Sequence, residues 1–404
     1  MSTTIIYDST AKVGHNAEYI RHLILYILNN KSLEAKTYTF ILHPTIISLI
    51  GVEYASSNYE NNLVVIPLPD AIKDNLLVPD NMYNRYRNSN IETAYINSQL
   101  LFFDAERIIL MMIDTELFTI RKLNYFNLKE ISGIYMRPLP PVCSQNSYIH
   151  KKIIYLFKRI VKIKLINFLL NEEKLKFVFI LEDIKLITHL QKIITKTKFI
   201  YLPDPFERLH TKGEHNSSHV QLASDKSEYL LVFGVMEPRK NLINIIKAFY
   251  EFSRSVDNTD LNLLIVGKFV STEYKFKVSQ LIDVLFKTNK NRVILHDCFI
   301  DDQERDLILA EAKVILMPYL NFQGSSGVLG HSVIYKKPAI VSNVGLAAEL
   351  VTTFKLGLTV DPSSINEIER AMHQSLTFKL DNKLRELFLQ SRTPTSFSTI
   401  LLDN

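Results

Sequence analysis

Residues 313–342 read KVILMPYLNFQGSSGVLGHSVIYKKPAIVS, and this stretch decides the fold. An apolar run, KVILMPY, leads into a loop of small residues, then a helical pattern over 327–336, then a second apolar run, PAIVS. Strand, crossover helix and second apolar strand make a βαβ unit, whose parallel strands are buried on both faces. Upstream of it the alternation repeats. YLLVFGV at 229–235 precedes a helix over 241–256, LNLLIVG at 261–267 a helix over 273–287, and RVILHDC at 292–298 a helix over 302–311. Residues 228–380 therefore read as a doubly wound α/β domain, and such sheets bind ligands beyond the carboxyl ends of their strands.

The first half shows the same pattern. Its apolar runs are IIY at 5–7, TFIL at 39–42, NLVVIPL at 62–68, RIILMMI at 107–113, GIYM at 133–136, KFVFILEDI at 176–184 and KTKFIYLPDP at 196–205, with a helix over 17–29. Between the halves, ERLHTKGEHNSSHVQLASDKS at 207–227 has the composition of an exposed connector. The expected organisation is an N-terminal Rossmann-like domain over 1–206, a linker over 207–227, a C-terminal Rossmann-like domain over 228–380, and a helical tail over 381–404 packing back towards the first domain. A chain of 404 residues has ample material for two cores.

Composition excludes several classes. Hydrophobic residues at 47% and charged residues at 22% are those of an ordinary globular protein. Cys143 and Cys298 lie far apart without metal-ligand or CxxC spacing, so neither a disulfide framework nor a zinc site is supported. The opening MSTTIIYDST lacks a basic region followed by an apolar one, and no segment reaches about 18 uninterrupted apolar residues. We expect a cytoplasmic protein that is neither secreted nor membrane-spanning. The net charge of +5 arises in residues 1–210, with about 25 Lys/Arg against about 20 Asp/Glu. No nucleic-acid motif accompanies it, so nucleic acid is not an expected partner.

Two Rossmann-like halves suit a cleft enzyme, a periplasmic-type binding protein or a dinucleotide enzyme. The second requires a signal peptide and the third a GxGxxG after an early strand; neither is present. Only 11 glycines occur, and the dense cluster at 324–330 follows a strand and opens a helix. Amides at such a helix start, approached closely past Gly324, Ser325, Ser326 and Gly327, make an anion site that fits a diphosphate. Ser326 as a simple N-cap within a tight glycine turn is the alternative. In FGVMEPRKN at 233–241, Lys240 follows another strand end, from which a lysine reaches phosphate oxygens. Arg239 and Lys240 also oppose the macrodipole of the helix whose start they adjoin, which points to a purpose beyond helix stability.

An ordered series of segments carries a family resemblance. GVMEPRKNLINIIKAF, LLIVGK, RVILHDCFIDDQERDLILAEAKVILMPY, GSSGVLGHSVIYKKPAIVSNVGLAAELV and LGLTVDPSSINEIERAM span about 229–375. Together they resemble the C-terminal domain of retaining glycosyltransferase family 4, in a variant branch with GSSGVL in place of the usual donor-site segment. The resemblance implies the GT-B architecture, α/β with two Rossmann-like domains facing a central cleft. It implies a nucleotide-diphosphate sugar as donor, retention of anomeric configuration, and no cofactor or obligatory metal. By position, Lys240 neutralises the diphosphate, Ser325, Ser326 and Gly327 lie beside the phosphates and donor sugar, and Glu349 accepts from ribose hydroxyls.

Three departures accompany it. The family's paired glutamates fall on Gln323 and His331, which normally contact the donor sugar and the nucleotide. Its arginine after the first strand's glycine is Val235, leaving Arg239 as a displaced substitute. In the first half, Gly14 sits where the family often has a glycine near the acceptor; His15 beside it and Arg137 past a strand are catalytic candidates. The expected acceptor is a glycan or lipid-linked molecule in surface polysaccharide or glycoconjugate synthesis. A catalytically silent homologue acting as a nucleotide- or sugar-binding partner subunit is the alternative. HKKIIYLFKRIVKIKLINFLL at 150–170 has basic and apolar residues that suit an anionic membrane surface, and equally a half-buried helix with a solvated basic face.

Overall fold

A computed structural model describes residues 2–10, 15–51, 62–72, 82–136, 149–207, 228–255, 261–288 and 292–403. The chain forms two compact units, 1–205 with 394–404, and 206–393. The stretch 381–404 is thus divided: the helix Asn382–Gln390 belongs to the second unit, and Pro394–Asp403 to the first.

The first unit holds a seven-stranded sheet of β1 (Thr3–Asp8), β2 (Thr37–Leu42), β3 (Leu63–Pro67), β4 (Ala105–Leu110), β5 (Glu130–Tyr135), β6 (Leu175–Leu181) and β7 (Lys198–Leu202), ordered β3-β2-β1-β4-β5-β6-β7. Every pairing is parallel. All six residues of β1 are buried, which is why the run alternates no polar face. One side of the sheet packs on the helices Met82–Phe102, Ile113–Lys122 and Ile149–Leu170 through Ile96, Leu100, Leu117, Ile120, Ile166 and Leu170. The other packs on His15–Asn29 and Pro394–Asp403, where Tyr19 and Phe397 lie 4.7 Å apart between ring centroids. Arg107 donates to the carbonyls of Leu401 and Leu402 and pairs with Glu130 at 2.6 Å, fixing that last helix to its own sheet.

The second unit holds a six-stranded parallel sheet of β8 (Tyr229–Phe233), β9 (Asn262–Val266), β10 (Val293–His296), β11 (Val314–Met317), β12 (Ala339–Ser342) and β13 (Gly357–Val360), ordered β10-β9-β8-β11-β12-β13. Both strand orders are doubly wound, reversing direction between β1 and β4 in one unit and between β8 and β11 in the other. A ligand crevice is expected at each reversal. Helix starts in the second unit follow sequence: Ser271, Asp301, Ser364 and Asp381 each accept from an amide in the first turn, worth about 1 kcal/mol apiece. Two helices depart from this, Gly327–Ile334 and Leu346–Phe354, which have no side-chain cap.

Candidate functional site

Both uncapped helices stand at the carboxyl edge of the second sheet. After β11 the chain runs through Pro318–Gln323 into the 324–327 loop, with Asn321 and Ser326 at positive φ of 52° and 68°. For a non-glycine residue that conformation costs roughly 1–2 kcal/mol, so the surroundings must impose it. The next helix does so: the amides of Leu346 and Ala347 donate to the carbonyls of Gln323 and Gly324 at 3.1 and 3.2 Å. Gly345, at φ 90°, permits this approach, since a Cβ there would lie 2.6 Å from the Phe322 carbonyl oxygen. With the loop carbonyls turned to that helix, the amides of Ser325, Ser326, Gly327 and Val328 find no acceptor among the described residues. Ser326 makes no capping bond, so the simple N-cap alternative does not describe this turn. Four amides and two unengaged hydroxyls at a helix N-terminus are a preorganised anion cradle.

After β8, Pro238–Lys240 form a separate 3-10 turn, and Asn241 takes φ 63° before the helix Leu242–Ser255 begins. The two basic residues thus precede the helix, in keeping with its expected start at 241. The turn after β8 is bonded to the one after β11. Leu320 N donates to Arg239 O at 2.9 Å, Asn241 Nδ2 to Pro318 O at 2.9 Å, and Lys240 Nζ to the Tyr319 hydroxyl at 2.7 Å. Lys240 Nζ also donates to Phe233 O at 2.9 Å and lies 3.1 Å from where a Cβ on Gly234 would stand. Lys240 is 5% exposed, yet no carboxylate among the described residues lies within ion-pair distance of it. A buried cation without an anion is expensive to hold.

Arg239 is differently engaged. Its guanidinium pairs with Glu237 and stacks over Phe322 at 4.8 Å and Tyr319 at 5.5 Å. Phe322 in turn meets Tyr319 edge-on at 5.4 Å and lies under Gly324. Lys240, Arg239 and the 324–327 loop are therefore joined through Tyr319 and Phe322, which sequence reasoning missed because an aromatic after a strand reads as core. Gln323 is half-buried at the loop and makes no side-chain hydrogen bond with a described residue. Glu349 is exposed in the first turn of Leu346–Phe354. His331 sits one turn into its helix with its ring 6.2 Å from that of Phe206.

At the reversal of the first sheet the structure gathers three carboxyl groups. Asp8 accepts from Thr10 and Asn16, Glu116 from Ser9 at 2.7 Å and Thr115 at 2.6 Å, and Glu92 from Tyr7 at 2.9 Å. All three are buried. Burial, then the charge of Glu92, pushes the Glu116 carboxyl well above its usual range. Burial alone raises Glu92 and Asp8 against their hydroxyl and amide donors. Of the sequence candidates in this unit, Gly14 and Arg137 lie outside the described residues, as does the side chain of His15, which begins the helix His15–Asn29.

Residues 214–388 match the family model described as glycosyl transferases group 1. No curated protein matches the chain by sequence. Among solved structures, an alpha,alpha-trehalose-phosphate synthase (UDP-forming) from Burkholderia xenovorans, in complex with glucose-6-phosphate, superposes with TM-score 0.69 at 10% identity, over 99% of each chain. The Anabaena protein HepE, in complex with UDP, gives 0.66 at 13%, over 100% of this chain and 99% of its own. A sucrose-phosphate synthase from Thermosynechococcus elongatus gives 0.66 at 13%, over 99% and 97%. At these identities the likeness is one of fold, and it extends over both units.

Proposed function

We propose that the chain, whose residues 214–388 match the group 1 glycosyltransferase model, moves a sugar from a nucleoside diphosphate sugar to a glycan or lipid-linked acceptor. In this reading transfer retains anomeric configuration, needs no obligatory metal, and serves surface polysaccharide or glycoconjugate synthesis in the cytoplasm. The observation that carries it is the buried Lys240 ammonium, with no carboxylate partner among the described residues, linked through Tyr319 and Phe322 to the loop that holds four unengaged amides at the β8/β11 reversal. As the bond from donor C1 to the diphosphate breaks, the electron pair goes to the departing phosphate oxygen. Fixed amides and a cation stabilise that charge without the reorganisation that water requires. Ser325 and Ser326 add hydroxyl donors to the phosphates, Gln323 faces the donor sugar, and Glu349 and His331 take the nucleotide side. Arg239 leaves Glu237 for the diphosphate, while Gly14, His15 and Arg137 serve the acceptor.

Incubating the purified chain with UDP-, GDP- and ADP-sugars tests this. UDP-sugars come first, because two proteins of the same fold are described with UDP or as UDP-forming. Slow donor hydrolysis or acceptor-dependent nucleotide release is expected, unchanged by chelators. A second reading, a silent nucleotide- or sugar-binding partner subunit, draws on the uncharged Gln323 at the loop and on His331 lying against Phe206. Saturable donor binding without turnover on any acceptor would establish that reading instead.

A further inference from the structure

The helix Ile149–Leu170 is apolar on two sides. Ile166, Leu169 and Leu170 are buried in the core of the first unit. Yet Leu156, Phe157, Ile160, Val161 and Phe168 are 57%, 67%, 46%, 46% and 61% exposed. Their three- and four-residue spacing aligns them in one outward stripe, with exposed Lys164 on the same line. A half-buried helix with a solvated polar face does not leave such a stripe in water. The helix carries Lys151, Lys152, Lys158, Arg159, Lys162 and Lys164 and no Asp or Glu. Among the described residues, no helix is long and apolar enough to cross a membrane.

We propose that the outward face of Ile149–Leu170 docks the protein on an anionic lipid surface, lying in the plane of the interface. The apolar stripe enters the boundary between headgroups and acyl chains, and the cations meet the lipid charge. Charge selects this occupant over a second copy of the chain. A two-fold contact would set the face against itself and bring two helices of six cations each together with no acid on either. Anionic headgroups neutralise those cations. The inference does not depend on donor chemistry, since it concerns the first unit alone.

Flotation of the full chain with vesicles provides the test. Wild type is expected to float with phosphatidylglycerol–phosphatidylcholine vesicles at low salt and to remain behind with pure phosphatidylcholine. Phe157→Ser with Val161→Ser should lower the bound fraction about tenfold, and Lys158→Glu with Arg159→Glu and Lys162→Glu should abolish binding. Phe157 and Val161 are exposed, so their serine variants are expected to keep the wild-type thermal transition and nucleoside diphosphate affinity. Phe157→Ser alone serves if the double variant misfolds. The proposal is overturned if wild type fails to float at low salt, or if the apolar variants float as wild type does. A wild-type dimer that Phe157→Ser dissociates would overturn it too, assigning the stripe to a second copy. Donor turnover measured in parallel separates failure here from failure of the transferase reading.

Discussion

Lys240 Nζ donates to the Tyr319 hydroxyl at 2.7 Å, so the turn after β8 and the turn after β11 hold each other across the sheet's reversal. Tyr319 is 1% exposed and its ring lies 4.3 Å from the ammonium. The phenol thereby fixes the direction of a cation that has no carboxylate partner among the described residues. Tyr319→Phe keeps the ring and its packing on Phe322 but removes one of the ammonium's two acceptors. Chemical denaturation should show a loss of about 1 kcal/mol, and nucleoside diphosphate affinity should fall by a similar amount. Unchanged affinity would mean that the phenol does not aim the ammonium.

Ser326 offers two substitutions with opposite expectations. Ser326→Pro removes an amide and demands a φ near −65°, where the native value is 68°. Diphosphate affinity should then drop by about 1.5–3 kcal/mol, the range for a hydrogen bond to a charged group. Ser326→Ala leaves the amide and the loop conformation in place and should lose less affinity than the proline variant, because only the hydroxyl's bond to the phosphate goes. Titration calorimetry with a nucleoside diphosphate reads both; a larger loss for Ala than for Pro would remove the backbone from the account.

The buried acids of the first unit give a pH dependence of definite sign. Glu116 and Glu92 are raised in the folded protein, so folding favours their protonated forms. Their contribution is complete below the unfolded carboxyl pKa of about 4.3 and is lost as pH rises through the raised folded values. Stability of the first unit should therefore decline towards alkaline pH. Glu116→Gln, which cannot ionise, should flatten that decline and exceed wild type at the alkaline end. Urea unfolding of both proteins across this range checks it, and parallel curves would place the titration elsewhere.

Much of this was legible in the sequence because parallel strands, buried on both faces, write themselves as unbroken apolar runs such as YLLVF and VILM. The 324–327 loop stood out because glycine is scarce elsewhere. Tyr319 did not, since its task depends on the partner strand's lysine. Asp8, Glu92 and Glu116 were silent for the same reason: they are far apart in sequence, and the strand order of the sheet brings them together. The left-handed Asn241, which frees Arg239 and Lys240 from the following helix, leaves no mark in composition.

Titrating Lys240→Ala and wild type with a nucleoside diphosphate and with the free nucleoside decides whether Lys240 and the 325–328 amides cradle a diphosphate. A loss of about 1.5–3 kcal/mol is expected for the diphosphate, as for hydrogen bonds to charged groups, with little change for the nucleoside. Equal losses for both ligands would contradict it, because Lys240 would then be supporting the fold of the turn rather than binding phosphate.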